Sequence, residues 1–145
     1  MYKTILVPLD GSKRAEAILP HVEEMAYRFS AKLIFMQVVE YHTISDSSIP
    51  EFTQLTETAS LYLKARSGEF REKGVETKNL IELGPIVNTI INVAAREDVD
   101  LIAMASHGRS GLSRVFYGSV AAGVLQQVDR PLLLIRSQEY NGGLI

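Results

Sequence analysis

Five short apolar runs alternate along this chain with stretches of helical period, and that alternation constrains the fold more than any other feature. The runs are residues 3–9 (KTILVPL), 32–39 (KLIFMQVV), 75–83 (VETKNLIEL), 101–105 (LIAMA) and 132–135 (LLLI). LIAMA carries no polar side chain, as a strand covered on both faces of a parallel sheet requires. VETKNLIEL alternates more, the pattern of a strand near an edge. Between the first two runs, Ala17, Ile18, Val22, Met25, Ala26 and Phe29 recur three and four apart, which predicts an amphipathic helix over residues 13–30. A long helix over 51–73 closes at Gly74 as its C-cap. Gly84-Pro85 opens a third, running to about residue 97, and a fourth spans 119–128. Every connection is long enough for a crossover, so the expected class is α/β, a doubly wound five-stranded parallel sheet.

A chain of 145 residues fits one domain, and it contains no internal repeat, low-complexity tract or linker. Residues 40–50 read as a polar loop and 138–145 as a frayed tail. A net charge of -2 offers no basic face for nucleic acid. The absence of cysteine excludes disulfides, thiolate metal sites and thiol catalysis. No apolar stretch is long enough to span a bilayer and the first residues lack a signal-peptide pattern, so the expectation is a soluble, cytoplasmic protein with no membrane partner.

The chemistry concentrates in residues 105–119, ASHGRSGLSRVFYGS, where glycines and hydroxyls lie between an apolar strand and a helix. A loop that leaves a buried strand and ends at a helix N-terminus offers unpaired amides and a positive dipole end, which together favour phosphate. Gly108, Gly118 and Ser119 are the phosphate candidates, with Ser106, His107 and Arg109 beside them and Val120 next in the first helical turn. Ser119 is expected to serve as both N-cap and hydroxyl donor. Arg109 and Arg114 would neutralise phosphate charge. The plainer reading of the same residues is a loop whose glycines serve turns and whose serine caps a helix. Asp10 ends the first strand in the turn Asp10-Gly11-Ser12; its carboxylate would cap the helix starting near Lys13, bind a ligand, or do both. No G-x4-GKS or GKT segment is present, which excludes the P-loop NTPases. Ser106 beside His107 is not a dyad by adjacency, and His21 and His42 have no metal-ligand spacing. With no catalytic set and no protein metal site, any hydrolysis is expected to be slow, and binding suits these residues better.

Read as Ala105, two residues, Gly108, nine residues and then Gly118-Ser119, the segment resembles the G-x2-G-x9-G-S/T signature of the universal stress protein family, in its ATP-binding branch. Its first position departs, with Ala105 standing where the signature has glycine. The opening ILVPLDGS is similar to the family as well, and the resemblance covers nearly the whole chain. It implies a Rossmann-like strand order 3-2-1-4-5, with a crevice between strands one and four that brings Pro8, Leu9 and Asp10 beside Met104, Ala105 and Gly108. It further implies that Asp10 contacts an adenosine, that the main chain of Val38 holds the adenine edge, and that Mg2+ or Mn2+ arrives on the phosphates of ATP. The implied assembly is a homodimer paired through the last strand. Two alternatives stand beside this: a stress protein that has lost nucleotide and acts by protein contacts, to which Ala105 would belong, and a receiver-like domain phosphorylated on Asp10.

Overall fold

The computed structural model describes residues 1–40, 49–106 and 118–137. Among these, five parallel strands form one sheet in the order β3-β2-β1-β4-β5: β1 (Thr4–Pro8), β2 (Lys32–Val39), β3 (Thr77–Leu83), β4 (Leu101–Ala105) and β5 (Leu132–Ile135). Four α-helices accompany them among the described residues, α1 (Leu19–Phe29), α2 (Ile49–Glu72), α3 (Ile86–Arg96) and α4 (Ser119–Gln127). The strand pattern sorts side chains by parity, because successive residues of a strand point to opposite faces. Ile5, Val7, Leu33, Phe35, Leu101 and Ala103 turn to the layer that includes Val22 and Ala26 of α1 and Leu63 and Phe70 of α2. Leu6, Ile34, Met36, Ile102 and Met104 turn to the other, with Ile90 and Val93 of α3 and Ala121 and Val124 of α4. Each fully buried Val, Leu, Ile, Phe or Met side chain contributes about 1.5–3 kcal/mol, so these two layers carry the stability of the fold.

The first helix differs from its expected form. Residues 13–30 do not make one helix; a 3-10 turn, Ala15–Ile18, precedes α1. Pro20 sits in the first turn of α1 and has no N–H to continue an α-helical ladder backwards, so the chain tightens before it. The helices α2 and α3 and the strands match their expected positions closely, and Gly74 ends α2 at a positive φ of 86°. Pro85 stands one position before α3 as its N-cap residue. β3 is an edge strand, as its alternation implied. The expected frayed tail, residues 138–145, lies outside the described residues. No described helix is long and apolar enough to cross a membrane.

Pairing between β1 and β4 positions everything that follows. β1 runs beside β2 from Thr4↔Lys32 through Pro8↔Met36, and β4 beside β5 from Ile102↔Leu132 through Ala105↔Ile135. Between β1 and β4 the register holds only at Ile5↔Leu101 and Leu6↔Ile102. At the closed end the Asp100 carboxylate accepts the Lys3 and Thr4 amides at 2.8 and 2.9 Å. Toward their carboxyl ends the two strands part.

On the second face α3 and α4 meet across Gly123, where an added Cβ would lie 2.7 Å from Cγ2 of Val87. Gly123→Ala gains helix propensity of about 1 kcal/mol, but overpacking costs about 1–3 kcal/mol, so a net loss of stability is expected. Urea unfolding of Gly123→Ala alone and with Val87→Ala checks this. The glycine substitution should cost at least about 1 kcal/mol less when Val87 has been shortened, and equal costs in both backgrounds would refute the contact.

Candidate functional site

The splayed ends of β1 and β4 open into a cavity of about 350 Å3. Its size falls within the range of small-ligand sites, and its walls are mostly apolar. Pro8, Leu9, Asp10, Val38, Met104, Ala105, Ser106, Gly118, Ser119 and Val120 all line it. Residues far apart in sequence are thus brought together where strand order reverses. His107, Gly108, Arg109 and Arg114, with His42, lie outside the described residues. His21 is exposed on α1, away from this cavity.

The floor is built by the turn after β1. Gly11 has a φ of 86°, a conformation glycine adopts without strain, and it folds Ser12 back onto Asp10. Oδ1 of Asp10 accepts from the Ser12 amide at 2.9 Å and from the Ser12 hydroxyl at 2.6 Å. Oγ of Ser12 in turn accepts the Ala15 amide at 3.1 Å. Ser12, rather than Asp10, therefore caps the following turn, and Asp10 fixes the cap. From the outside, α2 grips the same turn: the Tyr62 hydroxyl donates to Glu16, and Arg66 lies 3.9 Å from that carboxylate. Burial, reinforced by the hydrogen bond to Glu16, pushes the Tyr62 phenol far above its usual range, so it remains a donor.

One wall is the end of β2. The Lys32 amide donates to the Lys3 carbonyl and the Met36 carbonyl accepts from Leu9, both at 2.8 Å, so the even residues of β2 address β1. Leu33 and Val39 bond instead on the β3 side, to Glu76 and Gly84. By this alternation the N–H and carbonyl of Val38 turn toward β1, which has already ended. They have no main-chain partner among the described residues and stand at the cavity edge as an adjacent donor and acceptor.

The opposite wall joins β4 to α4. Ser106 is buried; its N–H donates to Ile135 at 2.7 Å and its carbonyl accepts from Gly118 at 2.8 Å. Gly118, not Ser119, is the N-cap residue of α4, with a φ of -41° and a ψ of 158°. Ser119 is the first helical residue and no side chain caps the helix, so the expected capping role of Ser119 is replaced. The geometry instead places the first turn of α4, whose amides have no partner within the helix, at the cavity. Ala105 lies inside β4 and is not among the residues of positive φ, so the methyl in place of glycine costs no backbone strain.

Five lining residues escaped the sequence reading: Ala15, Met36, Ile86, Ile90 and Ala121. Ile86 and Ile90 form the side contributed by α3, and their helical spacing gave only a core signal. A second hollow of about 360 Å3 adjoins through Ile86, Ser119 and Val120 and is bordered by Glu40 and Asn88. Among the described residues no three His, Asp or Glu side chains gather as a metal site.

A parallel sheet of this order with an open crevice at its reversal point defines a Rossmann-like α/β protein. The chain belongs to the universal stress protein family, whose model matches residues 1–136. Universal stress protein MJ0577 of Methanocaldococcus jannaschii is 29% identical over 94% of this chain and 96% of its own length. The solved structure of MJ0577 superposes with a TM-score of 0.86 at 30% identity, covering 97% of this chain and 99% of that one. Universal stress protein UspA from Lactobacillus plantarum follows at 0.79 and 26% identity, over 93% and 98% of the two chains. A universal stress protein from Archaeoglobus fulgidus in complex with dAMP shares the fold at 0.63 and 20% identity, over 92% and 98%.

Because Ser12 both caps the turn and holds Asp10, Ser12→Ala is expected to destabilise the protein by about 1 kcal/mol. Chemical denaturation measures this, and an unchanged midpoint would show that the turn does not depend on its cap.

Proposed function

We propose that this chain binds ATP or a related adenine nucleotide in the crevice between β1 and β4, and acts as a stress-responsive signalling or protective module. The observation that carries this reading is the pairing of two kinds of main-chain group across one apolar slot. The N–H and carbonyl of Val38 match the adjacent acceptor and donor on the edge of adenine, while the first turn of α4 suits phosphate oxygens. Apolar walls from Met36, Ile86, Ile90 and Met104 would receive a flat ring between them. Asp10 would take ribose or adenine donors. Gly108, Arg109 and His107 would extend the phosphate site from the segment between β4 and α4. The dAMP complex of the Archaeoglobus fulgidus protein supports the fold as one that carries an adenine nucleotide.

Mg2+ or Mn2+ would come with the phosphates, which supply hard oxygen ligands. Binding and release, rather than turnover, suit the polar side chains that the described residues bring to the cavity, Asp10, Ser106 and Ser119. A receiver-like role for Asp10 draws no support from its setting, since Oδ1 is committed to the Ser12 turn.

The partner would be a second copy of the chain, in the cytoplasm. On β5 the Pro131 and Ile135 carbonyls bond to β4, so the main-chain groups of Leu132, Leu134 and Arg136 face outward along an edge of alternating apolar side chains. Two such edges are mutually complementary.

Titration calorimetry of the purified protein with ATP and Mg2+, then with ADP and AMP, tests the ligand. Wild type should release or absorb heat to saturation, and Gly118→Val, which puts a branched side chain into the wall, should bind at least about tenfold more weakly. Identical titrations of the two proteins would reject the phosphate assignment. Light scattering after gel filtration tests the assembly: wild type should run as a dimer and Leu134→Lys as a monomer. A monomeric wild type, or a variant that stays dimeric, would remove β5 from the interface.

A further inference from the structure

Both rims of the crevice are tied to the residues that leave β5. On the β4 side, Ser106 is held between the Ile135 carbonyl at 2.7 Å and the Gly118 amide at 2.8 Å. On the β1 side, the Ser137 hydroxyl donates to the Arg14 carbonyl at 2.7 Å, across 123 positions of sequence. Arg14 immediately precedes Ala15, a lining residue, and belongs to the connection that begins at Asp10. The Arg14 carbonyl also accepts the Ala17 amide at 3.2 Å, so the serine grips the 3-10 turn at its start. Tyr62 and Arg66 hold that turn from α2, on its outer side, and Ser137 holds it from the end of the sheet. The strands β1 and β4 lose register after Leu6 and Ile102, yet above that split residues 135–137 connect the two sides again.

We infer that Ser137 is a positioning residue of the crevice: its hydroxyl sets how far the β1 rim stands from the β4 rim, and a ligand that touches both rims responds to it without contact. The inference rests on the adenine-nucleotide reading of the site and adds a determinant of affinity that lies outside the cavity. A ligand spanning two rims binds more tightly when their separation is preset, because less ordering remains to be done on binding. The coupling is reciprocal, so an occupied crevice holds the end of β5 more firmly.

The test compares wild type, Ser137→Ala and Ser137→Thr as full chains. Three quantities are read: ATP–Mg2+ affinity, amide hydrogen exchange of the ligand-free proteins, and the thermal midpoint without ligand. Loss of one hydrogen bond should weaken binding about fivefold in Ser137→Ala and speed exchange over residues 12–17, while the midpoint falls by only about 2–4 °C. Ser137→Thr keeps the hydroxyl and should restore both. In wild type, ATP should slow exchange at Ser106. Wild-type affinity in Ser137→Ala, or equal loss in Ser137→Thr, would overturn the role of the hydroxyl. If wild type takes up no nucleotide, the reading of the site has failed, and exchange alone judges the clamp: faster exchange over 12–17 in Ser137→Ala upholds it, and unchanged exchange refutes it.

Discussion

The carboxylate of Asp100 closes one end of the β1–β4 pair and thereby decides where the other end opens. By accepting both the Lys3 and Thr4 amides it fixes these strands side by side at their starts. Sheet twist and the two-residue register then carry them apart toward their carboxyl ends. No other neighbouring pair in the sheet has so short a register among the described residues. The crevice is therefore a product of pairing geometry, and Pro8, Val38, Met104 and Ala105 take their places in its lining from strand ends. That division of labour agrees with the burial pattern. Two buried apolar layers supply the stability, while the polar contacts of the site are short, local and mostly made by main chain.

How much of this was legible depends on which forces each segment obeys. β4 could be delimited from composition because burial on both faces leaves no room for a polar side chain at LIAMA, and β5 because LLLI is wholly apolar although only partly buried. The turn at Asp10-Gly11-Ser12 was visible as well, although the assignment of the cap to Ser12 was not. Both Asp and Ser are good caps, and choosing between them needs the φ of Gly11. The helix expected from residue 13 failed at Pro20, a backbone constraint that hydrophobic periodicity does not register. Strand order was beyond periodicity altogether and came through the family likeness.

The candidate site was half legible for a similar reason. Hydroxyls and glycines beside a strand end announce themselves, whereas Ile86 and Ile90 look like core residues because, on their inner face, they are core residues. They become walls of a cavity because β1 and β4 separate beneath α3, a long-range fact with no local trace. Val38 is the opposite case. Its side chain says nothing, and its importance lies in an N–H and carbonyl left over when the adjoining strand stops two residues short.

Met36 and Met104 flank that slot on the strands either side of β1, and both are thioethers in a buried wall. Unbranched and polarisable, such side chains swing among rotamers at little cost and mould themselves to whatever plane lies against them. The outline of a guest ring would thus be weakly policed by its flanks. On the proposed reading, selectivity among heterocycles would fall on rigid peptide dipoles, which cannot swivel to greet a different pattern of lone pairs.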